Sequence, residues 1–217
     1  MTQFEAIIFD MDGLLLDTER IALATFLETC EELGLTARRE LFVRCIGTNQ
    51  SLGREVLREG LQGQVDHLLF EQTWDSKYAD CTTNRPIPLK EGVVELLEHI
   101  SSLRIPTAVA TSTQTIRAQA KLGSSGILNS FHVIVGGEQV QNSKPAPDLY
   151  LRAAPILNAR AGACLALEDS ENGVRAAVSA GMTVVQIPDL VQPSANLLAL
   201  GHVVLRSLRD VPAFPFV

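Results

Sequence analysis

The sequence predicts an α/β fold in which a doubly wound parallel sheet carries an inserted α-helical cap domain. Two observations lead to this prediction. After Pro88, short apolar runs typical of buried strands alternate with longer segments that have apolar residues at helical spacing. Between residues 17 and 85, by contrast, amphipathic helical patterns follow one another, and no run is convincing as a strand. A helical block between the first strand and the rest is typical of an insertion.

The first strand is predicted at Ala6–Phe9, an uninterrupted apolar run. Within the insertion, helical patterns lie around residues 23–33, 52–57 and 65–78, and the last of these suits one or two helices. Beyond it, strands are expected at residues 107–110, 132–135, 164–167, 183–187 and 202–205, and helices at residues 91–103, 116–122, 149–157 and 173–180. We therefore expect a main α/β domain of residues 1–16 and 86–217 and a cap domain of residues 17–85.

Composition and charge narrow the classes of partner. The chain has 217 residues, 46% of them hydrophobic, and a formal net charge of −7, which suits one sizeable domain or a core with an inserted module. An acidic surface repels nucleic acid and anionic membranes, so we expect neither as a partner. An anionic substrate therefore needs local positive charge, from a metal ion or a lysine.

The cysteines and the apolar segments indicate the cellular compartment in which we expect the protein. The four cysteines are scattered, without C-x-x-C spacing or a histidine cluster, which predicts reduced thiols rather than a zinc site or a disulfide framework. No basic segment precedes an apolar run near residue 1, and no apolar run is long enough to span a bilayer. We expect a soluble, cytoplasmic protein and take a monomer as the default.

Two carboxylates lie at the predicted carboxyl end of the first strand. Asp10 and Asp12 follow Ala6–Phe9, and Gly13 allows a sharp turn. Ligands of open parallel sheets bind at this edge. Two acids there can divide the work of phosphoryl transfer, one attacking phosphorus and the other handling the proton of the leaving group. The alternatives are a solvated turn and a calcium loop, and the apolar run Leu14–Leu16 argues against calcium.

Hydroxyl and ammonium groups follow two later strands. Thr111 and Ser112 end the second strand and precede a helix, where hydroxyls and backbone N–H groups can cradle an anion. An ordinary helix N-cap would explain them as well. Lys144 lies in the proline-rich segment Ser143–Asp148, which favours an extended backbone at the lysine. A lysine held there can neutralise a nucleophile and a phosphate together, although an exposed lysine before a helix is the alternative.

A second acid pair, Glu168 and Asp169, ends the strand predicted at residues 164–167. Adjacent acids beside hydroxyl and amide groups fit a Mg²⁺ site, because Mg²⁺ prefers hard oxygen ligands. Acids that favour the N-terminus of the following helix are the alternative, which explains one acid better than two. The acid pair, the hydroxyls, the lysine and the second acid pair all fall at predicted strand ends. That combination favours a catalytic site over four independent coincidences.

In this order, the four motifs resemble those of the haloacid dehalogenase (HAD) superfamily, in the subgroup with a helical cap inserted after the first strand. Phe9–Gly13 is similar to the first motif of the superfamily, Thr111–Ser112 to the second, Lys144–Pro145 to the third and Glu168–Asp169 to the fourth. The resemblance covers essentially the whole chain. It implies a Rossmann-like HAD core with an inserted helical cap.

The resemblance also implies roles for individual residues. Asp10 would be the nucleophile, and Asp12 would be the general acid and base. Phosphate would be bound by Thr111, Ser112 and Lys144. A Mg²⁺ ion, the implied cofactor, would be held by the Asp10 carboxylate, the Asp12 backbone carbonyl, Asp169 and, directly or through a neighbour, Glu168.

Dehalogenases, phosphatases and phosphomutases share these motifs. Dehalogenases lack an acid at the position of Asp12, because a halide leaving group needs no proton whereas an alkoxide does. β-Phosphoglucomutases are similar to residues 143–148 and 167–170, but their cap histidine and the arginine that grips a second phosphate correspond here to Ala22 and Gln50. We therefore predict a phosphatase with water as the final acceptor. A phosphomutase is the alternative, and a non-catalytic binding module is less expected because the nucleophile is present.

The run Phe9–Arg20 resembles the pseudouridine-5′-phosphatases, which implies a small phosphorylated metabolite as substrate: a sugar, polyol or nucleoside monophosphate. The cap would select among such substrates, and the candidate specificity residues are Glu19, Asn49 and Gln50. Solvated loop residues are the alternative for this set. Trp74 and Tyr78, spaced i, i+4 on a predicted helix, are assigned to the core of the cap rather than to a stacking platform.

Overall fold

A six-stranded parallel sheet forms the centre of the computed structural model, which describes residues 4–36, 39–46, 50–83 and 85–213. Its strands are β1 (Ala6–Phe9), β2 (Thr107–Ala110), β3 (Val133–Val135), β4 (Cys164–Glu168), β5 (Thr183–Gln186) and β6 (Val203–Val204). Their order across the sheet is β3-β2-β1-β4-β5-β6. The chain thus builds outward from β1 on one side and then on the other, which leaves a ligand-binding crevice at the carboxyl ends of the central strands.

Helices fill the connections between the strands. Between β1 and β2 lie α1 (Thr18–Glu32), α2 (Arg39–Val43), α3 (Gln50–Gly60), α4 (His67–Thr83) and α5 (Val93–Ser102). The later crossovers contain α6 (Thr115–Ser124), α7 (Asp148–Ile156), α8 (Glu171–Ser179) and α9 (Ala195–Leu198). Across the described ranges, no helix is both long enough and apolar enough to cross a membrane.

The central strand β1 is buried on both faces, which explains why its sequence is apolar throughout rather than alternating. Ile7 and Phe9 point into one apolar cluster with residues of α5 and α6, whereas Ala6 and Ile8 point into a second cluster with residues of α7 and α8. Burial of a side chain such as Ile8 contributes about 1.5–3 kcal/mol. The strand is therefore held firmly where its carboxyl end meets the crevice.

A third apolar cluster lies within the helical segment of residues 18–83. Phe26 is fully buried at its centre, and its ring centroid lies 5.5 Å from the ring centroids of Phe42, Phe70 and Trp74. Leu190, in the loop after β5, packs against this cluster. The helical segment therefore has an apolar core of its own, distinct from the two clusters on the sheet.

The predicted fold class is confirmed, and the predicted elements occur in the expected order with ends shifted by a few residues. Some details differ. The short helices α2 and α9 were not predicted, because five and four residues give too little periodicity to recognise. The pattern at residues 65–78 is one helix, α4, that extends to Thr83, and β4 includes Glu168 rather than ending before it. Within the described part of residues 17–85 there is no strand, as predicted.

The two chain crossings between the sheet and the helical segment lie side by side. Leu16 on the outgoing crossing and Leu89 on the returning one form an antiparallel bridge. Beside them, Lys90 Nζ lies 2.6 Å from Asp189 Oδ1 and 3.5 Å from Asp17 Oδ1. The ammonium group thereby joins both crossings to the loop after β5.

Replacing Phe26 by alanine should lower the free energy of unfolding by about 3–5 kcal/mol, because it removes the centre of the third apolar cluster. Leu68→Ala is the matched control in the same segment. Leu68 is 62% exposed, so this change should stay within about 0.5 kcal/mol of the wild type. Urea denaturation followed by circular dichroism measures both, and equal effects of the two changes would contradict the assignment of this core.

Candidate active site

The polar residues singled out in the sequence meet at the carboxyl edge of the sheet. Asp10 directly follows β1, and its N–H donates to the Leu167 carbonyl on β4 at 2.9 Å. Thr111 directly follows β2, Glu168 is the last residue of β4, and Asp169 comes next. Since these three strands are neighbours in the sheet, the first, second and fourth motifs share one edge although they are far apart in sequence. The prediction that the lysine of the third motif falls at a strand end is wrong, because Lys144 lies in the connection between β3 and α7.

Lys144 bridges two of the acids. Its Nζ lies 2.5 Å from Asp10 Oδ1 and 2.6 Å from Glu168 Oε1, and all three residues are buried. Burial alone would lower the pKa of Lys144, but the Asp10 and Glu168 carboxylates outweigh burial and raise it. For Asp10, burial is the largest influence and raises its pKa to about 8, with Lys144 opposing and Glu168 adding to the rise. Lys144 therefore stays charged beside the first acid.

Glu168 is fully buried and held by several donors. Besides Lys144, the Tyr150 hydroxyl donates to Oε1, while Oε2 accepts from the Ser170 hydroxyl at 3.3 Å. A Cβ atom at Gly173 would lie only 1.9–2.0 Å from the Glu168 carboxyl atoms. Glycine at position 173 in α8 is therefore required by the carboxylate above it, although glycine is unfavourable in a helix by about 1 kcal/mol relative to alanine.

Three buried carboxylates could hold a metal ion. Asp10, Glu168 and Asp169 each offer one carboxylate oxygen, and these oxygens all lie within 4.8 Å of one another. One ammonium group, that of Lys144, faces three acids. Burial, followed by the charges of Asp10 and Glu168, raises the pKa of Asp169 well above its usual value. A divalent cation would balance the excess negative charge, and hard carboxylate oxygens suit Mg²⁺, so the residues fit the implied cofactor.

Asp12 lies outside this group of three and has partners of its own. Its Oδ2 accepts from the Thr113 hydroxyl at 2.7 Å, and its Oδ1 accepts from Lys121 Nζ at 2.8 Å. Lys121 Nζ also lies 3.4 Å from the Tyr78 hydroxyl. Burial, with the nearby charge of Asp12, raises the pKa of Tyr78 to about 12, so the phenol stays neutral. The two acids of the first motif thus sit in different surroundings.

The hydroxyls predicted to bind phosphate lie at the same sheet edge. Thr111 is buried, and its Oγ1 accepts from the Thr113 N–H at 3.1 Å. Ser112 is exposed, and its hydroxyl lies 2.9 Å from the hydroxyl of Ser143, the residue before Lys144. The structure thereby places the second motif against the residue that precedes the third motif.

Glu19, one of the three predicted specificity residues, comes close to the site. Its Cγ lies 3.3 Å from the position that a Cβ at Gly13 would take, and the same Cβ would lie 2.3 Å from Asp169 Oδ2. Burial, then the charges of Asp12 and Asp189, raises the pKa of Glu19 to about 7. Asn49 lies outside the described residues. Gln50 begins α3, but its side chain is outside the described part of the chain.

Three residues of the site were missed or misassigned from the sequence. Lys121 and Tyr150 lie inside helices, where periodicity shows which face is apolar but not what a polar residue contacts. Tyr78 was assigned to the core of the cap, and the contact of its hydroxyl with Lys121 of α6 was missed. Trp74, assigned in the same way, does pack in the apolar cluster around Phe26.

A solvent-accessible pocket of about 320 Å³ opens beside Asp169. Ile46 from the helical segment lines one side, and Asp189 and Leu190 from the loop after β5 line another. Asp169 is the one member of the group of three acids that lines this pocket, so the pocket lies at one edge of that group.

Comparison with known proteins supports the family resemblance. A sequence profile described as haloacid dehalogenase-like hydrolase matches residues 7–187. The chain belongs to this family. It is 34% identical over 182 residues to a HAD relative from Thermotoga maritima named "Phosphorylated carbohydrates phosphatase", a match that covers 82% of both chains.

Two further relatives of this HAD chain bear on the subgroup. It is 34% identical over 216 residues to a Drosophila melanogaster protein named "Probable pseudouridine-5'-phosphatase", covering 94% of this chain and 89% of the relative. A crystal structure described as "putative beta-phosphoglucomutase from Thermotoga maritima" has a TM-score of 0.78 and 31% identity, with 95% of each chain covered. The predicted resemblance is confirmed, and the chain is a HAD-family phosphatase.

Replacing Gly173 by alanine should displace Glu168 and lower the affinity for Mg²⁺ at least about tenfold, with about 1–3 kcal/mol lost from stability by overpacking. Gly162→Ala is the control, since a Cβ there first meets the Gly181 carbonyl at an ordinary 3.7 Å. Calorimetric titration with Mg²⁺ and urea denaturation measure the two effects. Unchanged Mg²⁺ binding in Gly173→Ala would contradict the role given to Glu168.

Replacing Tyr150 by phenylalanine removes only the hydroxyl that donates to Glu168. Groups that support a metal ligand typically contribute 10–100-fold to metal affinity, so the Mg²⁺ concentration for half-maximal activity should rise by about 10–100-fold. Phosphate release measured over a range of Mg²⁺ concentrations checks this. A lower maximal rate with an unchanged Mg²⁺ dependence would show that the hydroxyl does not act through the metal site.

Proposed function

We propose that the chain is a Mg²⁺-dependent phosphatase that hydrolyses a small phosphomonoester, a sugar, polyol or nucleoside monophosphate, through an aspartyl-phosphate intermediate. One observation supports this most strongly. Asp10 shares a buried centre with Lys144 and two further acids, while Asp12, two residues later, is held separately by Thr113 and Lys121. Such a division suits one acid as nucleophile and the other as proton carrier.

In the first step, an oxygen of Asp10 attacks phosphorus, the bond from phosphorus to the ester oxygen breaks, and Asp12 gives its proton to that oxygen. In the second step, water attacks phosphorus, Asp12 takes a proton from the water, and the bond from Asp10 to phosphorus breaks. Inorganic phosphate leaves, and both carboxyl groups return to their starting states. Lys144 neutralises Asp10 so that it can approach an anionic phosphate.

Phosphate oxygens would be bound by Thr111, Ser112 and Lys144. Mg²⁺ would be held by the Asp10 and Asp169 carboxylates and the Asp12 backbone carbonyl, with Glu168 in contact or adjacent, and would neutralise charge on the phosphate. The buried three-carboxylate group supports this assignment.

Residues 17–85 serve as the cap in this proposal, over a core of residues 1–16 and 86–217. The separate apolar cluster around Phe26 and the adjacent chain crossings support that division. Glu19, close to Gly13 and Asp169, is the specificity residue best supported by position. Asn49 and Gln50 stay predictions.

Ala22 favours hydrolysis over phosphoryl transfer to a second site. In the β-phosphoglucomutase resemblance, its position corresponds to a cap histidine. Here Ala22 packs against the apolar cluster of the helical segment, and its carbonyl accepts from Trp74 Nε1 at 3.1 Å. The methyl side chain of Ala22 cannot take the role of the cap histidine. The relative named as a phosphatase of phosphorylated carbohydrates supports sugar phosphates as the first substrates to test.

Phosphate release from a panel of sugar, polyol and nucleoside monophosphates tests the proposal, with Mg²⁺ and with EDTA. We expect release from one or a few esters, lost with EDTA and reduced below detection in Asp10→Asn, whose fold is verified by circular dichroism. Activity that survives Asp10→Asn would exclude the mechanism. Conversion of β-glucose 1-phosphate to glucose 6-phosphate without phosphate release would show a mutase instead.

A further inference from the structure

Both oxygens of the Asp12 carboxylate are engaged, each by a different element. Thr113, in the loop after β2, donates its hydroxyl proton to Oδ2 at 2.7 Å. Lys121, two turns along α6, donates from Nζ to Oδ1 at 2.8 Å. Two donors on opposite oxygens fix the direction of the carboxylate more tightly than one donor can. The contacts are separate from the group formed by Asp10, Glu168 and Asp169.

Lys121 differs from an ordinary surface lysine. Only 12% of its side chain is exposed, and lysines are rarely buried to this extent unless they are paired. Its Nζ lies 3.4 Å from the Tyr78 hydroxyl and 5.5 Å from the centroid of the Tyr78 ring. Tyr78 belongs to α4 of the helical segment, whereas Lys121 and Asp12 belong to the main domain. A single ammonium group thus connects the proton-carrying acid with the segment proposed as the cap.

We propose that Lys121 is a positioning residue that sets the direction of the Asp12 carboxylate, and that Tyr78 makes this position depend on the packing of the cap. The proposal rests on the proposed function, in which Asp12 carries the proton. Proton transfer needs donor and acceptor atoms within about 2.6–3.2 Å. Without Lys121, only Thr113 would hold Asp12, and the carboxylate could rotate about that one contact.

The leaving group separates this role from a merely structural one. An alkyl phosphate must receive a proton as its ester oxygen departs, whereas nitrophenolate departs as a stable anion. A misplaced Asp12 therefore slows formation of the aspartyl-phosphate from alkyl esters and leaves the same step with p-nitrophenyl phosphate nearly unchanged. General damage to the site would slow both substrates together.

The test compares kcat/KM of wild type and Lys121→Met for p-nitrophenyl phosphate and for an alkyl phosphomonoester that the wild type hydrolyses. We expect a loss of about 10²-fold with the alkyl ester and a change within about threefold with the aryl ester. Lys121→Arg, which keeps a cationic donor, should recover most of the loss. Lys77→Met is the matched control, because Lys77 adjoins Tyr78 on α4 but pairs with Glu32 instead.

A double-mutant cycle tests the part of Tyr78. Tyr78→Phe removes the hydroxyl and keeps the ring, so it should give a smaller loss of the same kind, confined to the alkyl ester. Combined with Lys121→Met, it should add nothing, because Tyr78 acts through Lys121. Additive losses in the double variant would overturn the link to the cap.

Other outcomes overturn the role of Lys121 itself. Equal losses for both esters would show a structural role, and a rise in KM confined to substrates with a second anionic group would show a substrate-binding role. If the wild type hydrolyses neither ester, the proposed function fails, and a crystal structure of Lys121→Met still tests the positioning. A rotated Asp12 carboxylate would support it, and a carboxylate unchanged on Thr113 would overturn it.

Discussion

The burial of three carboxylates around one ammonium group is the constraint on which the rest of the site depends. Charged groups removed from water are strongly destabilising unless they are paired. Here the Lys144 ammonium group forms ion pairs with Asp10 and Glu168. The Tyr150 hydroxyl donates a further hydrogen bond to Glu168. Two glycines also leave room for the acids. A side chain at Gly13 would collide with Asp169, and a side chain at Gly173 would collide with Glu168. The acids meet because the neighbouring strands β1 and β4 end at the same edge of the sheet.

The two acids of the first motif are separated by one residue yet belong to different electrostatic environments. Asp10 faces a lysine that comes from the loop before α7 and also pairs with Glu168, whereas Asp12 faces a lysine that comes from α6 and also contacts Tyr78. Two similar carboxylates can take different chemical roles when their surroundings differ in this way. The backbone places the two acids close together, and lysines from two different crossovers, one in a loop and one in α6, make their surroundings unlike.

The sequence indicated which polar residues lie at the ends of strands, but it did not indicate which residues inside helices contact them. Asp10, Thr111 and Glu168 follow apolar runs whose ends are visible in the sequence, and parallel strands bring such ends together. Lys121 and Tyr150 lie within helices, where a residue's contacts depend on how the helix is rotated and packed. Tyr78 shows the same limit, because its spacing from Trp74 placed both on one helix but could not show that its hydroxyl reaches α6.

The adjacent crossings at Leu16 and Leu89 have a consequence for how such a chain can change. The helical segment leaves and returns at neighbouring points. The 66 residues from Thr18 to Thr83 therefore connect two adjacent points of the main chain, as a tight loop would. Strand register is then insensitive to the length or packing of the excursion. Insertions, deletions or replacements in the helices can therefore change the helical segment without moving the strand ends that carry the acids. Under the proposed function, a cap of this kind can change its substrate preference while the acids stay where they are.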